Sequence, residues 1–272
     1  MATQNKVWYP KADPNEQPST WWYYGRALYV SRLDYRKIFF TFLAFGIPTA
    51  LMGVLFHLPA FWYSALAMAG LGVLLLMYSL FGLYRQYGPP AQNYFARLLK
   101  QADVKGDATI ADIHIGTYRH SYQIANLLPE ATIYSVDCWE EADEPELAIA
   151  DVRSLEPSPT HLPKLKSLKA HDFEIPLETA SCDAIVFGFG THEIPKGRER
   201  DKIFAEAMRI LKPGGKALMF EHGIDFHNYL IFGPVIHHVT THNEWMDTMK
   251  TLVHHVKEDR MYAVNMITGV KA

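Results

Sequence analysis

Leu211-Lys212-Pro213-Gly214-Gly215-Lys216-Ala217-Leu218-Met219-Phe220-Glu221 is the stretch on which the fold turns. Residues 198–211 form an amphipathic helix, and Pro-Gly-Gly stops it, because proline has no amide to donate and glycine leaves the helical region at little cost. Residues 216–221 then run as an apolar strand. Upstream, 109–113, 132–137 and 184–189 also have the composition of strands, and helical segments alternate with them, the first at 93–102. Strands alternating with helices imply βαβ units on a parallel sheet. The expected domain is therefore α/β and Rossmann-like, over residues 91–272. It starts after Gly88-Pro89-Pro90, where two prolines end the preceding helix.

The strand ends carry the chemistry. The first runs Ile110-Ala111-Asp112-Ile113-His114-Ile115-Gly116-Thr117-Tyr118-Arg119, with one glycine in the turn. The second ends Ile133-Tyr134-Ser135-Val136-Asp137, and a carboxylate there offers two fixed acceptor oxygens to a vicinal diol such as a ribose. Leu168-Lys169-Ala170-His171-Asp172-Phe173-Glu174-Ile175-Pro176-Leu177 follows, then Ser181-Cys182-Asp183-Ala184-Ile185-Val186-Phe187.

Together with Arg209-Ile210-Leu211-Lys212-Pro213-Gly214-Gly215, these runs resemble the class I S-adenosylmethionine-dependent methyltransferases, and the ubiquinone/menaquinone C-methyltransferase branch most closely, over about residues 109–221. The resemblance implies S-adenosylmethionine as cofactor. It places Asp112, His114, Gly116, Tyr118, Asp137, Asp172 and Phe173 at binding positions, with Asp137 on the ribose, Asp172 near the adenine amino group and Phe173 beside the ring. Only Gly116 of the family's glycine motif is kept. His114 and Tyr118 stand at the outer glycine positions, so the loop either bends without them or fills part of the usual cofactor space. Cys182 replaces the phenylalanine that precedes the aspartate of the family's fourth strand.

His192 and Glu193, after the strand at 184–189, and Glu221 and His222, at the end of the next, are the candidates for substrate chemistry. Open α/β sheets bind ligands at the carboxyl ends of their strands, and a histidine there can take a proton from a phenol or an acidic carbon. His227, His237, His238, His242, His254 and His255 match no standard metal-ligand spacing, and no metal is expected. Cys138 and Cys182 lie far apart without a Cys-x-x-Cys neighbour, which leaves two buried thiols and neither a zinc cage nor a disulfide framework.

Outside this domain the charge pattern is extreme. No Asp, Glu, Lys or Arg occurs between Lys37 and Arg85, and residues 38–58 and 60–84 give uncharged runs of 21 and 25 residues. Each exceeds the roughly 20 residues a helix needs to cross hydrocarbon. The link His57-Leu58-Pro59-Ala60 makes them an antiparallel hairpin, residues 37–86, in which Gly46 and Pro48 need neighbouring partners. Arg32, Arg36 and Lys37 flank one end and Arg85, Arg97 and Lys100 the other, with none at the turn. The positive-inside rule then puts both termini and the α/β domain on the cytoplasmic side of the inner membrane. Residues 1–36 are polar and aromatic, with Trp8, Trp21, Trp22 and several tyrosines among arginines. This composition suits the headgroup zone or a cap on the domain, and no cleavable signal peptide is expected.

With 29 acidic against 26 basic residues and a net charge of −3, nucleic acid is excluded as a partner. The expected partners are the bilayer and a lipophilic acceptor such as a quinone precursor, an isoprenoid or another lipid, with a membrane complex or homo-oligomer also open. Three functions remain: methyl transfer, an unconventional use of S-adenosylmethionine as in the aminating step of rhodoquinone synthesis, and a catalytically inactive accessory subunit. The topology has its own test. A membrane-impermeant thiol reagent on intact cells should label Pro59→Cys and spare Arg97→Cys; the reverse pattern would overturn the orientation.

Overall fold

A computed structural model of the chain describes residues 8–139, 150 and 153–272, so the first seven residues of the N-terminal segment lie outside it. Its centre is a seven-stranded sheet of order β3-β2-β1-β4-β5-β7-β6. The strands are β1 (Thr109–His114), β2 (Thr132–Asp137), β3 (Leu165–Lys169), β4 (Cys182–Gly188), β5 (Leu211–His222), β6 (His254–Met261) and β7 (Val264–Val270). The first five pair in parallel. The sheet is mixed, however, because β7 inserts antiparallel between β5 and β6. The four strands expected from the sequence are parallel, and the antiparallel β6 and β7 are additions that the sequence reading did not include. The cause of the reversal is a two-residue turn, Tyr262-Ala263, with φ of 57° and 64°. Such a turn reverses the chain at once and needs no crossover helix.

Helices α3 (Ala91–Ala102) and α4 (Arg119–Leu127) pack on one face of the sheet, and α5 (Arg198–Ile210) and α7 (His242–Leu252) on the other. The result is a three-layer Rossmann-like sandwich with one core beneath each helical layer. Helix α5 stops at Ile210, one residue before the sequence expectation, and β5 opens at Leu211. Pro213 forces Lys212 out of the helical region, and the extended conformation spreads back to Leu211, which pairs with Cys182.

Helix α1 (Thr20–Leu55) is continuous for 36 residues, capped by the Ser19 hydroxyl on the Trp22 amide. The expected boundary between residues 36 and 37 therefore falls inside one helix. Three residues lead to α2 (Pro59–Tyr87). Both helices are long and apolar enough to cross a membrane, and Phe45, Leu66, Leu74 and Met77 among others project outward unburied. The last turns of α2 dock on α6 (Phe226–Phe232). Gly82 lies where a Cβ would fall 2.4 Å from Ile231 Cγ1, Ser79 donates to the Ile231 carbonyl, and Gln86 donates to Asn228 at 3.2 Å and to the Tyr262 carbonyl at 2.9 Å.

Beneath the end of β1 runs a chain of buried polar groups. The Gly116 amide donates to His114 Nδ1 at 3.0 Å, which puts the ring proton on Nε2, 2.7 Å from the Ser135 hydroxyl. The Ser135 and Ser121 hydroxyls are 2.8 Å apart, and Ser121 donates to Asp112 Oδ2 at 2.5 Å. Burial keeps His114 neutral, its pKa pushed down to about 4, and outweighs the Ser121 hydrogen bond to push the Asp112 carboxyl up to about 7.

The folded protein thus holds a proton on Asp112 that the unfolded chain releases near pH 4. That contribution is fully present below the unfolded value and is lost as pH rises through about 7. Asp112→Asn is neutral throughout and removes the slope. In thermal unfolding in detergent micelles it should gain on the parent protein, on the order of a few kcal/mol, between about pH 5 and about pH 8. Parallel pH profiles would exclude Asp112 as the proton's site.

Candidate active site

Strand order reverses between β1 and β4, where doubly wound sheets open a crevice at the strands' carboxyl ends. A cavity of about 220 Å³ lies there. Ile115, Gly116 and Thr117 line it from the β1 turn, Phe189, Gly190, His192 and Glu193 from the β4 turn, and His222 from the end of β5. Tyr23, Arg26 and Val30 of α1 and Tyr87 of α2 cover one side, and Phe232, Val235, Ile236 and His238 another. The sequence thus brought Gly116, His192, Glu193 and His222 to one place.

His114 and Tyr118 do not fill this space. His114 turns into the interior, and Tyr118 caps α4 edge-on to it at 5.3 Å. The loop bends without the outer glycines. Asp112, within β1, is fully buried.

Asp137 ends β2 as expected, with its carboxylate held by Arg153 Nη1 at 2.7 Å and the Trp139 amide at 3.0 Å. Burial opposes its charge, but these donors and the Arg153 cation outweigh it and lower the pKa. The Arg153 stem crosses Gly116, where φ is +122° and a Cβ would lie 2.3 Å from Arg153 Cγ. Asp172 and Phe173 form a tight turn after β3 with φ of 50° and 66°. Asp172 is exposed, Phe173 lies under Lys202 Nζ at 4.9 Å, and neither lines the cavity.

Glu221 stands behind the cavity and not on it. Its Oε1 accepts from the Gly190 and Thr191 amides at 3.2 and 3.0 Å, and its Oε2 faces His192 Nδ1 at 3.1 Å. His192 Nε2 in turn lies 3.3 Å from Glu193. Burial works against charge on this imidazole, yet the flanking Glu221 and Glu193 raise its pKa to about 9. Burial likewise opposes charge on Glu193, but His192 and His238 pull it down to about 2. His222 stacks on Phe189 at 4.1 Å with its Nε2 3.1 Å from the Tyr87 hydroxyl, and burial first, then neighbouring cations, holds its pKa well below the usual value.

Besides Arg153, four residues around the site were not read from the sequence as site residues. Arg119 is buried under Tyr87 and Phe189 at 4.6 and 5.2 Å and donates to the Gln86 carbonyl at 2.8 Å. Arg200 donates to the His192 and Ile194 carbonyls and to Thr240, and so fixes the β4 turn. Glu156 ties Arg26 to the β1 turn. A charged side chain inside an amphipathic helix, as Arg200 is in α5, was the one available signal.

Residues 111–219 match the family described as Methyltransferase domain. The chain is 42% identical over 57 residues to the ubiquinone/menaquinone biosynthesis C-methyltransferase UbiE of Brucella anthropi, which covers 21% of this chain and 20% of that protein. It is 40% identical over 57 residues to the protein of the same name from Rhizobium etli, over 21% of each. The chain thus matches about a fifth of the length of these curated relatives. Similar solved structures include an S-adenosylmethionine-dependent methyltransferase from Aquifex aeolicus, at TM-score 0.48 and 17% identity over 65% of this chain and 89% of that one. Another is the pyocyanin biosynthetic protein PhzM, at TM-score 0.48 and 15% identity over 82% of this chain and 67% of that one. Residues 111–219, which hold β1 to β5 and the turns that line the cavity, are thus the part of the chain that is similar to the Methyltransferase domain family.

Proposed function

We propose that the chain is a membrane-anchored methyltransferase acting on a lipophilic acceptor, a quinone precursor, isoprenoid or other lipid, that enters from the bilayer. Helices α1 and α2 cross the inner membrane as a hairpin with both ends and the α/β domain cytoplasmic. One observation carries the reading: a single short segment, residues 229–239, lines both the cavity and the apolar groove of the hairpin. Phe232, Val235 and Ile236 face the cavity, while their neighbours Leu230, Ile231 and Pro234 line an apolar groove of about 640 Å³ between α1 and α2. An apolar molecule in that groove lies against the segment whose other residues line the cavity.

S-adenosylmethionine, when bound, supplies an electrophilic methyl group. The chain's residues fit it once Arg153 withdraws: Gly116 leaves room for close backbone approach, and Asp137 offers acceptors to ribose hydroxyls in place of the guanidinium. Arg153 is partly exposed, with a quarter of its side chain in solvent, so water is at hand to receive it. On the acceptor side, His222 borders the cavity with its imidazole neutral, so it is free to accept a proton from the acceptor, while the burial that keeps it neutral also makes it a weak base. Phe189 and Phe232 on either side of it exclude water from that edge.

The Arg153–Asp137 pair also favours a second reading, in which the domain binds no cofactor and serves as an accessory subunit of a membrane complex. Calorimetric titration of the detergent-solubilised protein with S-adenosylmethionine and S-adenosylhomocysteine separates the two. Binding is expected, weakened by about 1.5–3 kcal/mol in Asp137→Ala and strengthened in Arg153→Ala, which removes the competing donor. No binding at millimolar ligand would overturn the enzyme reading in favour of the accessory one.

Entry from the bilayer is tested at Phe232, half-buried and edge-on to His222 at 4.8 Å. Phe232→Ser should leave cofactor affinity and melting temperature nearly unchanged and reduce turnover of lipid-extracted acceptor. A loss of about 3 kcal/mol or more of stability would mark it instead as a core residue.

A further inference from the structure

Three side chains converge at the cavity's acceptor edge: His192, Glu193 and His238. Their nearest ligand atoms all lie within 4.8 Å of one another, with Glu193 Oε1 3.3 Å from His192 Nε2 and 3.4 Å from His238 Nε2. Ligand atoms held about 2.0–2.2 Å from one cation, at neighbouring coordination positions, are separated by roughly this much. Glu193 Oε1 is buried and meets no hydrogen-bond donor in acceptable geometry, although its side chain is only 7% exposed. The two imidazoles alone face this oxygen among the described residues, and an ion bound to their Nε2 atoms would meet its charge in place of their protons.

The surroundings prepare the imidazoles for the same task. Metal-bound histidines usually donate their other ring N–H to a carboxylate or carbonyl, which fixes the tautomer and the ring plane. His192 Nδ1 faces Glu221 Oε2 at 3.1 Å, and Glu221 is itself anchored by two backbone amides. His238 Nδ1 donates to the Val235 carbonyl. Both Nε2 atoms are thereby directed to Glu193. Buried Arg200 holds the two halves together, donating to the His192 carbonyl at 2.9 Å and to Thr240 at 3.0 Å.

We propose that His192 Nε2, Glu193 and His238 Nε2 bind one divalent first-row transition-metal ion, whose remaining coordination positions face the cavity. Two imidazoles and one carboxylate suit zinc, manganese, iron(II) or cobalt and not magnesium or calcium, which prefer all-oxygen sites. All three residues line the cavity, as His222 and Phe232 do, so an acceptor oxygen entering past Phe232 would come within reach of the ion. The ion acts there as a Lewis acid that favours the oxyanion of a phenol or enol over its neutral form. That role rests on the methyl-transfer reading; the site itself does not.

The full chain in detergent micelles, stripped with a chelator and dialysed, is titrated with cobalt(II), followed by its visible d–d absorption, and with zinc(II) by calorimetry. One equivalent should bind, and His238→Ala and Glu193→Gln should each abolish it. Glu221→Gln, which only orients His192, should weaken it roughly 10–100-fold. A His254→Ala/His255→Ala variant, altered on the distant edge strand, should bind as the parent does. Because His238 is about a third exposed on a 3₁₀ turn, its variant is expected to fold, which near-ultraviolet circular dichroism checks. S-adenosylmethionine affinity in His238→Ala should stay unchanged, so a failure of the cofactor reading remains separate. Absence of cobalt binding at millimolar concentration, or binding indifferent to His238 and Glu193, would overturn the proposal.

Discussion

The placement of everything around the cavity depends on one buried ion pair, Arg26 with Glu156, 2.5 Å apart. Burying two charges is costly unless every remaining donor and acceptor is used. Here Glu156 also accepts from the Tyr23 hydroxyl at 2.6 Å and the Thr117 hydroxyl at 2.9 Å, and Arg26 donates to Thr117 at 3.0 Å. Three distant parts of the chain are thereby locked together: the start of α1, the turn after β1, and the segment that presents Arg153. Removing any one partner would strand a charge in the interior, so α1 lies over the glycine turn in one register. The hairpin inherits its position from that register, because α1 runs unbroken from Tyr23 into the apolar span.

The second helix is fixed independently. Gly82 allows α2 to approach Ile231 closely, and Gln86 beyond it reaches both α6 and the β6–β7 turn. That turn places two non-glycine residues at positive φ, which costs energy unless the surroundings hold it. Arg85 stacks over the Tyr262 ring at 4.0 Å and Asn93 donates to its hydroxyl at 3.1 Å, so the end of α2 and the start of α3 supply the restraint. With both helices tied down, the hairpin is an extension of the α/β domain and not a loose tether. Only this makes the shared segment around Phe232 meaningful, since a flexible anchor would define no fixed path from groove to cavity.

The sequence was legible for the central parallel strands. Strands β1, β2, β4 and β5 are central, and their continuous apolar runs mark them. Strands β3 and β6 lie at the sheet's edges with Lys166, Lys169, Lys257 and Glu258 exposed, which protects an edge but hides the strand from a hydropathy reading. The β6–β7 hairpin was hidden further, because Tyr262-Ala263 carries none of the usual turn signals. In the site, strand-end residues such as Asp137, His192 and His222 could be found by position. The charged pairs could not, since Arg26 and Glu156 are separated by 130 residues and only the folded topology brings them together. The histidines of the last fifty residues read as a set, but they scatter: His227 meets Tyr78, His242 meets Glu258, and His238 alone among them lines the cavity.

The loss of two glycines from the β1 turn has a physical resolution. A glycine-rich turn serves two purposes, to permit a backbone conformation closed to other residues and to leave its amides free. Only Gly116 has the positive φ that demands glycine, and it is the one retained. His114 takes over part of the second purpose, since its Nδ1 accepts the Gly116 amide and its Nε2 continues into the Ser135–Ser121–Asp112 chain. The turn is therefore held from beneath by an imidazole where a glycine-rich version relies on flexibility. Such support stiffens the turn and commits the Gly116 amide to the protein, so a ligand resting on this turn would be held by contact with its surface and by Asp137 more than by that amide. What the substitution removes is one donor toward the cavity, and the shape of the crevice survives it.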